Sequence, residues 1–137
     1  MSLSRRRFLS QSLHAGAALG ATGLLGAPAI VLAESRRPTV THGVMSGDIL
    51  PGRAMLWSRS DRPAQMVLEL ADNPDFRQAR RLTGPTALPI DDFTTKLDVT
   101  GLGDTESLYY RVRYAALGDE RALSEPAVGR LRLPPTR

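Results

Sequence analysis

From residue 40 onward the chain alternates apolar and polar side chains in short runs, the period of half-buried strands. Val40, His42 and Val44 share one face of a first run that ends at Ser46-Gly47-Asp48, and Pro51-Gly52 turns the chain. Arg53–Arg59 places Met55 and Trp57 on one side and Ala54, Leu56 and Ser58 on the other. Both sides are fairly apolar, which predicts a central strand. After the turn Asp61-Arg62-Pro63, Ala64–Ala71 sends Met66, Leu68 and Leu70 inward, with Gln65 and Glu69 outward. Asp72-Asn73-Pro74-Asp75 is a second turn, expected to tip Phe76 toward the core.

Phe76–Thr83 carries Arg77, Arg80 and Arg81 and predicts an edge strand, where charge discourages edge-to-edge pairing; Gly84-Pro85 is expected to end it. Phe93–Val99 alternates Thr95, Leu97 and Val99 against Thr94, Lys96 and Asp98. Leu108–Ala116 sets Tyr110, Val112 and Tyr114 against Arg111 and Arg113. A last run reaches Leu133, with Leu131 and Leu133 inward, and Pro126 predicts that it is broken or lies at an edge. About seven strands and no helix over about 100 residues predict an immunoglobulin-like or fibronectin-type-III-like β-sandwich. Trp57, Phe76 and Tyr110 are the expected large core residues, with the Leu, Val and Met set around them.

The first 33 residues have a different character. Between residues 8 and 33 there is no Asp, Glu, Lys or Arg, and Leu13–Leu32 is mostly Ala, Gly and Leu. A basic head, an apolar middle and a small residue at the end make an export signal, with cleavage expected after Ala33 and Ala27-Pro28-Ala29 as the weaker site. The head Ser4-Arg5-Arg6-Arg7-Phe8-Leu9-Ser10 resembles the twin-arginine motif S-R-R-x-F-L-K, departing at Ser10. The resemblance implies export of a folded protein by the Tat translocase to the periplasm or beyond. A permanent membrane anchor is the less favoured reading of the same segment.

That division changes the meaning of the charge. The chain of 137 residues has a formal charge of +4 and a pI of about 10.3. From residue 34 onward it has 15 Lys+Arg against 14 Asp+Glu, so +1 remains. With few aromatics for base stacking, no nucleic-acid partner is expected. The absence of Cys excludes a disulfide framework and a Cys-based zinc or redox site.

Candidate chemistry in the strand region is sparse. A hydrolytic metal centre needs three or more converging ligands. His14 lies in the leader, and His42 has no partner at ligand spacing, so a strand histidine is the preferred reading. Asp91-Asp92 point apart if extended and are read as a turn into the next strand. A Ser46/His42/Asp48 triad would come from one short segment without oxyanion donors and is set aside. Gly101-Leu102-Gly103 lacks the third Gly and the helix of a phosphate loop. Arg77, Arg80 and Arg81, or Arg111 and Arg113, suggest phosphate binding, but solvated sheet faces are preferred. No catalytic, cofactor or metal residue is assigned.

Two resemblances add to this. Val99-Thr100-Gly101-Leu102 followed by Tyr109-Tyr110-Arg111-Val112 is similar to a fibronectin-type segment. It implies a tyrosine corner, in which the Tyr110 hydroxyl bonds back to the turn backbone. More broadly, several segments together resemble the N-terminal domain of PhoD-like alkaline phosphatases (alkaline phosphatase D). They are Val40-Thr41-His42-Gly43-Val44-Met45-Ser46-Gly47-Asp48, Ala54-Met55-Leu56-Trp57-Ser58-Arg59, Ala71-Asp72-Asn73-Pro74-Asp75-Phe76, Val99-Thr100-Gly101-Leu102 and Tyr109-Tyr110-Arg111-Val112. Departures are Met45, Ile49 after the Gly-Asp pair, Ser58 for Thr and Val112 for Phe.

The family resemblance implies an exported phosphomonoesterase or phosphodiesterase whose iron and calcium sit in a later metallophosphatase domain. The expected organisation is a signal peptide at 1–33, a lead-in at 34–38, the sandwich at 39–133 and the start of a linker at 134–137. The expected role is an accessory domain, cut before its catalytic partner and not catalytic alone. The alternatives are a stand-alone secreted module that binds protein or glycan, and a fragment without function.

Overall fold

The computed structural model describes residues 36–135. The leader, with Ser4, Arg5, Arg6, Phe8, Leu9 and Ala33, lies outside the described residues. Eight strands follow in order: β1 (Val40–Leu50), β2 (Arg53–Ser60), β3 (Ala64–Ala71), β4 (Arg80–Ala87), β5 (Thr94–Thr100), β6 (Ser107–Ala116), β7 (Asp119–Leu123) and β8 (Ala127–Arg132). One 3-10 turn, Pro89–Asp91, leads into β5.

The strands form two antiparallel sheets. The first has the order β1-β2-β5; the second runs β4-β3-β6-β7, with β8 also on β6. β6 therefore serves both β7 and β8 along one edge: β8 pairs residues 107–112 and β7 pairs Ala115 and Ala116. The break between them holds Pro126, as expected, and makes eight strands where about seven are predicted. Ser124 seals the break. Its Oγ accepts from the Tyr114 N–H at 2.9 Å and donates to the Glu125 carbonyl, while its own N–H bonds the Tyr114 carbonyl at 2.8 Å.

β2 is central in its sheet, as its two apolar faces predict. Which face turns inward is decided by β5. Thr95, Leu97 and Val99 face the core and pair with Ser58, Leu56 and Ala54. Lys96 and Asp98 face out and pair with Trp57 and Met55. Trp57 is thus not a core residue: it stands half-buried on the outer face. The buried residues of β2 are Ala54, Leu56, Ser58 and Ser60.

Phe76 also departs from expectation. The turn after β3 is longer than it looks because the Asn73 side chain organises it. Asn73 Oδ1 accepts from the Arg77 N–H at 2.9 Å, and Nδ2 donates to the Arg77 carbonyl at 3.1 Å. Phe76 and Gln78 take left-handed backbone angles, φ 55° and 53°. Phe76 is left partly buried, with the Arg111 guanidinium 4.4 Å from its ring centre. β4 consequently starts at Arg80 rather than Phe76, and it continues through Gly84-Pro85. Pro85 is tolerated because β4 is an edge strand with a register shift opposite Gln65–Val67. The Gln65 side chain fills that irregularity, donating to the Gly84 carbonyl and accepting from Thr86 Oγ1 at 2.9 Å.

The core lies between the sheets and contains Leu56, Met66, Leu68, Leu70, Val99, Val112, Tyr110, Tyr114, Leu131 and Leu133. Two buried tyrosines cross it. The Tyr114 hydroxyl shares a 2.6 Å hydrogen bond with Thr95 Oγ1. Burial pushes the Tyr110 phenol up, with the Ser46 hydroxyl of β1 as its polar neighbour, and among the described residues the Tyr110 hydroxyl makes no bond back to the turn after Leu102, so the expected tyrosine corner is not formed. Gly129 of β8 makes room for that phenol. It is the cross-strand partner of Tyr110, and any Cβ there would overlap the Tyr110 ring.

A Gly129→Ala variant is therefore expected to be destabilised by about 1–3 kcal/mol, the usual cost of overpacking a core. Urea denaturation followed by far-UV circular dichroism measures it. A change within about 0.5 kcal/mol, the range of neutral surface substitutions, would refute the slot.

Candidate interaction surfaces

The residues singled out as candidate chemistry do not assemble. His42 is exposed, and its Nδ1 is 2.8 Å from Thr41 Oγ1. A bulge at Gly43, φ 68°, breaks the alternation of β1 and separates His42 from Val40 and Val44. The Ser46 side chain is half-buried beside Tyr110. Asp48 is exposed in the left-handed region, φ 45°. Asp92 belongs to the turn into β5, as expected, and is held by Arg59, whose Nε donates to the Asp92 carbonyl and whose Nη2 lies 2.9 Å from Oδ1. Gly101 and Gly103 are left-handed turn residues leading to β6. Among the described residues no three His, Cys, Asp or Glu side chains converge to hold a metal ion. The iron and calcium that the family implies therefore find no fitting ligand set in this part of the chain.

The arginines separate into distinct duties. Arg77 pairs with Asp75 at 3.6 Å. Arg80 Nη1 donates to the Gly101 carbonyl at 3.2 Å and tethers the loop after β5. Arg111 pairs with Glu69, and Arg130 donates to Ser107 Oγ at 2.6 Å while lying over the Tyr109 ring. These contacts partner part of the charge on the outer face of the second sheet, where the Arg113 Nε is buried without a hydrogen bond and Val128 is 58% exposed. A shallow cavity of about 450 Å³ at one end of the sandwich is lined by Asp72, Asn73, Arg77 and Arg80 with Leu70, Leu102 and Leu108. Its polar groups are the ones that hold the two loops, so it is a by-product of loop packing.

The outer face of the first sheet is different. Met45, Trp57 and Lys96 form one cross-strand row, and Gly47, Met55 and Asp98 the next. Met45 is 60% exposed, and Leu50 at the end of β1 is 51% exposed. Two ion pairs bound this patch. Arg53 meets Asp98 at 2.6 Å toward the β1–β2 hairpin, and Arg59 meets Asp92 toward the opposite end. Lys96, between them, has no acidic partner among the described residues. Sequence reasoning missed this face by assigning Trp57 to the core; the alternation of Lys96 and Asp98 on the paired strand is the signal that places it outside.

A family model described as PhoD-like phosphatase, N-terminal domain, matches residues 26–135. This chain belongs to that family. The match begins inside the predicted leader and runs through the whole sandwich. A solved structure of PhoD aligns at 27% identity and a TM-score of 0.55, covering 69% of this chain and 19% of that one. The domain thus spans about one fifth of the PhoD chain it matches. A looser likeness, to a solved myokine structure, has 14% identity and a TM-score of 0.48 over 72% of this chain and 96% of that one, and carries no argument. No curated protein matches.

The ion pairs at the rim give the PhoD-like domain an acid-sensitive component. Hydrogen bonds from Arg59 hold the Asp92 carboxyl below its ordinary range, and those from Arg53 do the same for Asp98. A depressed folded-state pKa contributes stability that is present above the unfolded value and lost as pH falls through the folded one. Wild type is expected to exceed an Asp92→Asn/Asp98→Asn variant in urea midpoint at pH 7, with the gap closing below the ordinary carboxylate range. A gap independent of pH would contradict the assignment.

Proposed function

We propose that this chain is the exported accessory domain of a PhoD-like phosphatase, and that it is not catalytic by itself. The family match over residues 26–135 carries the reading. The missing ligand cluster among the described residues supports it, because phosphoester hydrolysis in this family is expected to run on metal ions held elsewhere. Iron and calcium are accordingly assigned to the metallophosphatase domain. The sandwich supplies a rigid body that packs beside that domain. The whole enzyme's activity on phosphate monoesters or diesters belongs to the assembly.

The purified 137-residue chain is expected to hydrolyse p-nitrophenyl phosphate and its bis-ester no faster than buffer, with or without added iron and calcium. Metal-dependent turnover that tracks the chain through purification would overturn the proposal.

Export by the twin-arginine route to the periplasm or beyond belongs to the same reading. It rests on Ser4, Arg5, Arg6, Phe8 and Leu9, followed by the uncharged stretch to Ala33. Among the described residues no helix is long and apolar enough to cross a membrane. Replacing Arg5 and Arg6 together by Lys is expected to abolish export of the folded chain, read by fractionation and by the mass of the processed form. Undiminished export, or processing away from Ala33, would refute the route or the cleavage site.

A further inference from the structure

We propose that the outer face of the first sheet, centred on Trp57 with Met45, Met55 and Lys96, is the surface on which the phosphatase domain of the family docks. This rests on the accessory-domain reading and adds where the contact is made.

The contrast between the two outer faces carries the inference. On the second sheet, Glu69, Arg111 and Arg130 already have partners within the domain, and Phe76 and Tyr109 lie beneath guanidinium groups. Val128 is the large apolar side chain that face exposes, at one point rather than as a row. On the first sheet, a central strand presents a half-buried Trp beside two Met, one of them 60% exposed, flanked by a lysine with no carboxylate partner among the described residues. Clusters of exposed apolar side chains rimmed by charge mark interaction surfaces, and Trp is over-represented among residues that dominate them.

Gly47 shapes the patch. It stands opposite Met55 with open space where a side chain would be, leaving a notch beside the methionine. The partner is thereby specified chemically: an apolar protrusion over Trp57 and the notch, with a carboxylate opposite Lys96. The occupant is argued from the family match, which makes this an N-terminal domain, and from the PhoD chain, of which it covers 19%. The remaining four fifths of that chain is long enough to form the body to be packed against. The end of the sandwich also fits. The Leu133 N–H bonds the Glu106 carbonyl, and the Leu102 N–H bonds the Gly52 carbonyl. The described chain therefore leaves the sandwich at the hairpin end, where Leu50 extends the apolar face.

The face can be blocked without touching the core. Gly47→Arg fills the notch, and its Cβ meets nothing within 4 Å. Lys96→Glu reverses the unpaired charge. Val128→Asp, on the outer face of the second sheet, is the control at a residue 58% exposed. The 137-residue chain, carrying 5-fluorotryptophan at its single Trp, would be titrated with the phosphatase portion of the solved PhoD relative, produced separately. Binding would be followed by calorimetry and by the one fluorine resonance.

Wild type is expected to bind with a shift of that resonance. Gly47→Arg and Lys96→Glu should each weaken binding at least tenfold, with Val128→Asp within twofold of wild type and all variants equally stable to urea. Loss at Val128→Asp with retention at Gly47→Arg and Lys96→Glu would move the contact to the other sheet and overturn the proposal, leaving the accessory role intact. No binding by wild type to a folded phosphatase portion would overturn both. A fluorine shift that depends on concentration in the chain alone and disappears in Gly47→Arg would assign the face to a second copy and overturn the phosphatase as its occupant.

Discussion

The sandwich depends on a tyrosine hydroxyl that crosses between its sheets. With no cysteine in the chain, no covalent bond pins one sheet to the other. Tyr114 of β6 hydrogen-bonds Thr95 of the first sheet, and the Tyr110 ring of the same strand is buried across the core over Gly129. Apolar packing alone leaves two sheets free to slide, because the hydrophobic effect has no direction. A buried hydrogen bond does have direction, and leaving its donor or acceptor unpaired costs about 1–3 kcal/mol. The Tyr114 phenol therefore sets how the sheets face each other, while Leu56, Leu68, Val99 and Val112 supply the mass of buried apolar surface.

Much of the remaining architecture follows from making room for those rings. Ser58, Ser60 and Thr95 are small and polar at positions where a sandwich normally buries Val or Leu. Gly129 is bare because the Tyr110 ring lies across it. Ser124 turns the chain between β7 and β8 while satisfying the backbone of Tyr114 on both sides. Because β2 gives its inward positions to Ala, Leu and Ser, its bulky residues Met55 and Trp57 fall on the other face. The outward Trp is thus tied to the same period-two constraint that admits Tyr114 to the core.

The strand pattern was legible to the extent that local alternation controls it. β2, β3, β5 and β6 lie within a residue or two of their predicted limits, and the inward sets of β3, β5, β6 and β8 follow the pattern. The misreadings fall where a side chain or a neighbouring strand decides. The Asn73 amide extended a turn and shifted β4 by four residues, which took Phe76 out of the core. Pro85 did not end β4, since an edge strand has no partner to miss its N–H. Trp57 was assigned by size, whereas pairing with Lys96 assigns its side. The surroundings of Tyr110 are out of reach of local reasoning altogether, because Gly129, which makes room for its ring, lies on another strand.

These constraints bear on what an all-β module of this size contributes to a phosphatase. A catalytic centre needs several polar groups free to turn toward a substrate, and this domain spends its polar groups on its own loops and sheets. Arg59 is engaged at the Asp92 turn, Arg80 at the carbonyl of Gly101, and Arg111 between Glu69 and Phe76. The apolar row over β2 and Lys96 beside it are left without such engagement among the described residues. Such a surface has little chemistry to perform but much area to remove from water, and burying about 100 Å² of apolar surface is worth roughly 2.5 kcal/mol before the costs of association. A rigid frame with satisfied loops and one unsatisfied apolar face is built to hold a larger body in position rather than to turn over a substrate.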